Sequence, residues 1–187
     1  MTAAFAVSTG IVALGEIGDK TQLLALILAA RYRAPRPIIA GIFVATLANH
    51  AAAAALGAWL TRMIDPLWMR WGLGGSFIAV ALWMLVPDRA DGDVQGQDAS
   101  HASVFWITTT AFFLAEMGDK TQIATVMLAA KYSALVAVTA GTTLGMMIAN
   151  VPAVLLGERV VAKLPVQWIH RIAATVFAAI GVAILWP

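Results

Sequence analysis

The 187-residue chain contains no cysteine. That absence excludes a disulfide framework and any thiolate metal site. Charge is nearly as scarce. Asp, Glu, Lys and Arg make up 12% of residues, 61% are hydrophobic, and the mean hydropathy is +0.84. A soluble domain carries about a quarter charged residues, so an ordinary soluble fold is excluded and membrane helices are indicated. A pI near 9.3 invites a nucleic-acid reading, but the net charge is only +2 and the basic residues lie in short loops between apolar runs. That is the pattern of cytoplasmic loops in a membrane protein, so no nucleic-acid partner is expected. A cleavable signal peptide is not expected either: residues 1–15 lack a basic start and run on into an apolar span. There is no His-Glu-x-x-His and no nucleophilic serine in a suitable context.

What is present is six long apolar runs, at 3–30, 38–60, 72–86, 104–130, 134–156 and 169–186. Most are near the ~20 residues a bilayer demands. Helix is the state that satisfies the backbone inside lipid without closing a barrel. The expected fold class is therefore an all-α membrane protein with six transmembrane helices. Trp59, Trp68, Trp71, Trp83, Trp106, Trp168 and Trp186 fall mostly near span ends, as an interfacial belt requires. Residues 87–103 carry Asp88, Asp91, Asp93 and Asp98 among glycines and read as a solvated acidic linker.

The chain repeats itself at an offset of one hundred. Residues 16–32 read EIGDKTQLLALILAARY and residues 116–132 read EMGDKTQIATVMLAAKY. The match continues through Gly41 and Gly141, Gly57 and Gly157, Trp68 and Trp168, and Phe77 and Phe177. Asn49 and Asn150 match with a one-residue slip, which leaves His50 facing Val151 without a counterpart. Two three-helix halves follow, 1–86 and 104–187. With an odd number of spans in each, the halves must be inverted about an axis in the membrane plane, a design that places ion sites near the midplane on broken helices. Arg31, Arg33, Arg36, Arg89, Arg159, Lys163 and Arg171 lie in or beside loops one, three and five, against Arg62, Arg70 and Lys131 in loops two and four. The odd loops are expected in the cytoplasm and both termini outside.

Glu16, Asp19 and Lys20, and Glu116, Asp119 and Lys120, fall at mid-span. Each such group costs roughly 2.5–3.5 kcal/mol to insert, so all six must face a bundle interior or a wet cavity. On a continuous helix Glu16 and Asp19 share one face, and Lys20 lies four residues after Glu16 in the favourable order for an ion pair. Gly18 and Gly118 permit close backbone approach or unwinding. Thr21, Gln22, Thr121 and Gln122 add neutral oxygens. Each ionised motif sums to −1 and the pair to −2, which one divalent cation or two protons would neutralise. Metal ligation is expected from Glu16, Asp19, Glu116 and Asp119. Hard oxygen donors of this kind suit Ca²⁺, Mn²⁺ or Mg²⁺ rather than Cu or Zn.

At these residues the chain resembles the manganese exporter family typified by bacterial MneA, whose eukaryotic members include the Golgi transmembrane protein 165. The likeness rests on Glu-x-Gly-Asp-[Lys/Arg]-[Ser/Thr] occurring once in each half of a six-span chain. It carries over to Glu16, Gly18, Asp19, Lys20 and Thr21, and to Glu116, Gly118, Asp119, Lys120 and Thr121. The resemblance implies a secondary transporter of the bacterial inner membrane exporting Mn²⁺, in some members Ca²⁺, against H⁺. It implies no enzymatic cofactor, with the lipid bilayer and the metal ion as partners. Two inverted halves in one chain leave no need for a homo-oligomer.

Asn49 and Asn150 at mid-span read as ion ligands or interhelical hydrogen-bond partners. His50 reads as packing or as a proton carrier. Thr9 and Thr109 bond to backbone or face the ion path, and Glu158 pairs locally with Arg159. Two other functions compete with transport. An intramembrane aspartyl protease would use Asp19 and Asp119 as a dyad sharing one proton, but the adjacent lysines favour two ionised aspartates and the paired glutamates would go unexplained. A non-transporting membrane subunit would need the motif carboxylates for assembly alone.

Overall fold

The computed structural model describes residues 1–85, 100–157 and 165–186. Eight helices make up the regular structure of these residues: α1 (Thr2–Glu16), α2 (Lys20–Tyr32), α3 (Pro35–Met63), α4 (Pro66–Trp83), α5 (His101–Glu116), α6 (Lys120–Tyr132), α7 (Leu135–Leu156) and α8 (Val166–Leu185). Among the described residues, α3, α7 and the Gln167–Leu185 stretch of α8 are long and apolar enough to cross a membrane on their own. The first and fourth apolar runs are each divided into two shorter helices.

The division follows from the glycines. Gly18 and Gly118 adopt φ of +81° and +75°, a region costly to a residue with a Cβ. α1 and α5 therefore stop at Glu16 and Glu116. Asp19 and Asp119, in extended conformation, start α2 and α6 from their N-cap positions. This corrects the expectation of a continuous helix, in which Glu16 and Asp19 would share a face and Lys20 would pair with Glu16. Across a break, three- and four-residue spacing carries no such meaning.

Other boundaries also have local causes. α2 and α6 end on the left-handed residues Arg33 and Ser133, whose N–H groups donate to Ala29 and Ala129 carbonyls at 3.0 and 2.9 Å. Each closes a tight turn into the following long helix. α4 begins at Pro66, six residues before the expected span, because Asp65 caps it by accepting from the Leu67 N–H at 2.9 Å and proline suits the first helical position. α5 begins at His101, inside the stretch read as linker, with Ser100 accepting from the Ser103 N–H. The linker aspartates, Arg89, Glu158, Arg159 and Lys163 lie outside the described residues.

Packing repeats with the halves exchanged. α1 lies along α7 as α5 lies along α3, and α3 and α7 meet each other. Gly41 faces the Phe105 carbonyl and Thr108, while Gly141 faces the Phe5 carbonyl and Ser8. In each case a Cβ would come within 2.9 Å of backbone oxygen, so these glycines set the close approach of helices. α4 and α8 form a separate pair, with the Phe77 and Phe177 rings 5.7 Å apart.

The exchange is incomplete. The α4–α8 pair also packs on α1 and α6, and no comparable contact joins α5 to α4 or α2 to α8 among the described residues. Leu114 and Met117 on α5 and its break are 62% and 57% exposed, whereas Leu14 and Ile17 are half-buried. Burial as a whole is inside-out for a water-soluble protein: charges sit in the interior while Phe43, Leu47, Leu144, Ile148 and Val182 face outward. An apolar exterior of this extent fits lipid. All seven tryptophans are exposed.

Candidate metal centre at the paired helix breaks

The two breaks meet at the centre of the bundle, and Glu16, Asp19, Glu116 and Asp119 are all buried there. Glu16, Glu116 and Asp119 each present a carboxylate oxygen, all within 4.8 Å of one another. The fourth expected ligand, Asp19, stands in an ion pair: Lys120 Nζ lies 2.7 Å from its Oδ1. The reciprocal pair joins Lys20 Nζ to Asp119 Oδ1 at 3.0 Å. Each lysine thus bridges to the aspartate of the other motif, a pairing no sequence spacing could reveal. Lys120 is 1% exposed and Lys20 32%.

The neutral residues hold this geometry. Thr21 Oγ1 donates to Glu16 Oε2 at 2.6 Å, and Thr121 Oγ1 to Glu116 Oε2 at 3.3 Å. The Gln22 and Gln122 side chains accept from the Gly18 and Gly118 N–H groups at 2.9 and 2.7 Å. Two donors exposed by unwinding are thereby satisfied. Gln22 Nε2 then donates to the Ala149 carbonyl at 2.9 Å, and Gln122 Nε2 reaches Asn49 Oδ1 at 3.5 Å. The glutamines therefore tie each break to the long helix of the other half. Thr9 and Thr109 donate to the Phe5 and Phe105 carbonyls one turn back, so they close on their own helices.

Asn49 Nδ2 donates to the Phe113 carbonyl at 3.0 Å, an interhelical bond between α3 and α5. Asn150 Nδ2 donates to the Met146 carbonyl at 3.0 Å within α7. The matching contacts of Gly41 and Gly141 hold the offset at one hundred along both uninterrupted helices. The one-residue slip is therefore absent: His50 and Asn150 are counterparts, and Asn49 corresponds to Ala149. His50 is fully buried, with Nε2 4.0 Å from Glu116 Oε2.

Residues missed in the sequence complete the surroundings. His170 on α8 donates from Nε2 to the Ile17 carbonyl at 2.7 Å, reaching into the first break. Its counterpart Arg70 on α4 instead donates to the Leu185 carbonyl. The signal was present, since both are donors at one repeat position. Ser8 and Thr108, another matched pair, are buried hydroxyls facing Gly141 and Gly41.

Glu16 Oε1 and Glu116 Oε1 have no hydrogen-bond partner among the described residues. Crowded buried carboxylates with free oxygens attract a cation, and their hard donors fit a divalent ion. Comparisons with known proteins place the chain in a family of divalent-cation transporters. Residues 4–92 and 104–187 match the family described as "Divalent cation/proton antiporter GDT1". A Vibrio cholerae protein named "Putative manganese exporter" is 50% identical over 179 residues, covering 95% of this chain and 88% of that protein. A GDT1-like protein of Synechocystis sp. is 27% identical over 205 residues, covering 100% of this chain and 98% of that protein. No solved structure matches. With both halves matched and a half-identical relative spanning nearly its full length, the chain belongs to the GDT1 family of divalent cation/proton antiporters.

Proposed function

We propose that this protein exports Mn²⁺, and takes Ca²⁺ as a second substrate, in exchange for H⁺ by alternating access. The observation that carries this is the convergence of Glu16, Glu116 and Asp119, drawn from two copies of one motif, at paired helix breaks. Asp19, Lys20 and Lys120 complete the charge balance. With four carboxylates and two ammonium groups the ionised site holds −2. A divalent cation or two protons neutralise it, so the two cargoes exclude one another. The manganese-exporter name of the Vibrio cholerae relative supports Mn²⁺ and the outward direction.

In this reading α1 with α2, and α5 with α6, are the broken first and fourth of six membrane helices. The halves at 1–86 and 104–187 are inverted repeats joined by a cytoplasmic acidic linker at 87–103. The protein lies in a bacterial inner membrane with odd loops in the cytoplasm and both termini outside, and acts without an enzymatic cofactor or an obligatory second copy. Inversion places α1 and α6 on the outer side of the breaks and α2 and α5 on the inner side. The α4–α8 pair packs on α1 and α6, which supports a state closed outward and looser inward. Exchanging the roles of the halves generates the opposite state. The pairing of Asp19 and Asp119 with lysines counts against a protease dyad sharing one proton.

The test is Mn²⁺ and Ca²⁺ flux in proteoliposomes with a pH dye inside. Metal movement with opposite proton movement is expected, abolished by Glu16→Gln and Asp119→Asn variants that keep their helical content. Mn²⁺ binding should weaken as pH falls, because protons compete for the same oxygens. Absence of flux from folded wild-type protein would discard the transport reading.

A further inference from the structure

His50 is a buried polar side chain with nothing to do. Neither ring nitrogen meets a hydrogen-bond partner among the described residues, and 4.0 Å to Glu116 Oε2 is too long for a hydrogen bond. Burying such a group unpaired costs free energy. It is also where the two halves differ: the second half carries Asn150 at the same repeat position. α3 is pinned against α6 one to two turns onward, where a Cβ on Gly57 would run into the Val126 carbonyl. The backbone that carries His50 is therefore fixed relative to α6, and its ring nitrogen lies on the Glu116 side of the acidic cluster.

The spacing suits shared coordination. Imidazole nitrogen and carboxylate oxygen both lie about 2.0–2.2 Å from a first-row divalent ion. Two donors on one ion are then at most about 4.4 Å apart; His50 Nε2 and Glu116 Oε2 fall inside that limit, while His50 stands outside the 4.8 Å group formed by Glu16, Glu116 and Asp119. Chemistry gives the nitrogen a purpose. Carboxylate oxygens accept Mg²⁺, Ca²⁺ and Mn²⁺ alike, so an all-oxygen cluster separates them only by size and ligand number. Imidazole is a ligand for first-row transition ions, whereas Ca²⁺ takes oxygen.

We propose that His50 joins Glu116 as a ligand of the ion bound at the carboxylate cluster, and that its nitrogen makes the site favour Mn²⁺ over Ca²⁺. This rests on reading the carboxylate cluster as the ion site. The experiment is pulsed electron paramagnetic resonance of Mn²⁺ bound to the full chain, purified without a polyhistidine tag. Wild-type protein should show the nitrogen modulation of a directly bound imidazole. His50→Asn, which copies the second half, should lose it, while His170→Asn keeps it. The same His50→Asn protein should bind Mn²⁺ at least about 10-fold more weakly, and should lose more affinity for Mn²⁺ than for Ca²⁺. Mn²⁺ that is bound and transported by wild-type protein without nitrogen modulation overturns the proposal even if no His50 variant folds. So does modulation that survives His50→Asn. Wild-type protein that neither binds nor moves Mn²⁺ sinks the ion site itself and this ligand with it.

Discussion

The two motifs differ in one side chain of seven, Ile17 against Met117, and yet they do not occupy equal surroundings. Around the first break, α8 is packed against α1 and His170 holds the Ile17 carbonyl; around the second, Met117 and Gly118 are exposed. Lys120 is sealed in while Lys20 is one-third exposed. On the proposed alternating access the difference belongs to the conformation, and the opposite state would give each motif the other's surroundings.

The largest expected effect separates the lysines. Lys120→Met strips a buried aspartate of its ion-pair partner and should cost about 3–5 kcal/mol of stability. Lys20→Met also leaves a buried aspartate, Asp119, without its partner, but the ammonium removed is partly solvated, so the loss should be smaller. Thermal unfolding in one detergent compares them directly, and equal losses would break the asymmetry described here. Next comes the exchange of roles. Since the chain has no cysteine, paired cysteines can be introduced without background. Ile17→Cys with His170→Cys should be joined by a short thiol cross-linker in this state. Met117→Cys with Arg70→Cys should be joined in the opposite state, under a reversed proton or Mn²⁺ gradient, and each link should stop transport. If the second pair never reacts under any gradient while the first does, the halves do not trade places as proposed. The backbone at the breaks gives a smaller signal. Nothing lies within 4 Å of a Cβ on Gly118, so Gly118→Ala should cost only the about 1–2 kcal/mol of its positive φ, measured by the same unfolding. The smallest difference is expected where the halves meet each other. Phe77→Leu and Phe177→Leu, both buried in the α4–α8 pair, should destabilise by amounts equal within about 0.5 kcal/mol.

The apolar runs and the duplicated motif were legible in the sequence because hydrophobicity and exact repetition are local properties. Gly18 and Gly118 left close approach and unwinding both open. The partner of Lys20 was not legible: helix spacing pointed to Glu16, and only the break and the docking of the other half deliver Asp119 instead. Asn49 and Asn150 misled for a different cause, since matching residue type suggested a slip that the packing of Gly41 and Gly141 does not allow. The unequal coverage by α4 and α8 was not legible, because it depends on contacts between distant helices; Arg70 against His170 is a local difference that accompanies it.

The crossed lysine–aspartate pairs also bear on how the protein is made. Asp19 of the first half is neutralised by Lys120, and Asp119 of the second by Lys20. On the proposed six-span topology, the first three apolar runs would enter the membrane during synthesis with Asp19 and Lys20 still lacking these partners. That half is an unfinished substrate for the insertion and quality-control machinery until the second motif arrives to complete it.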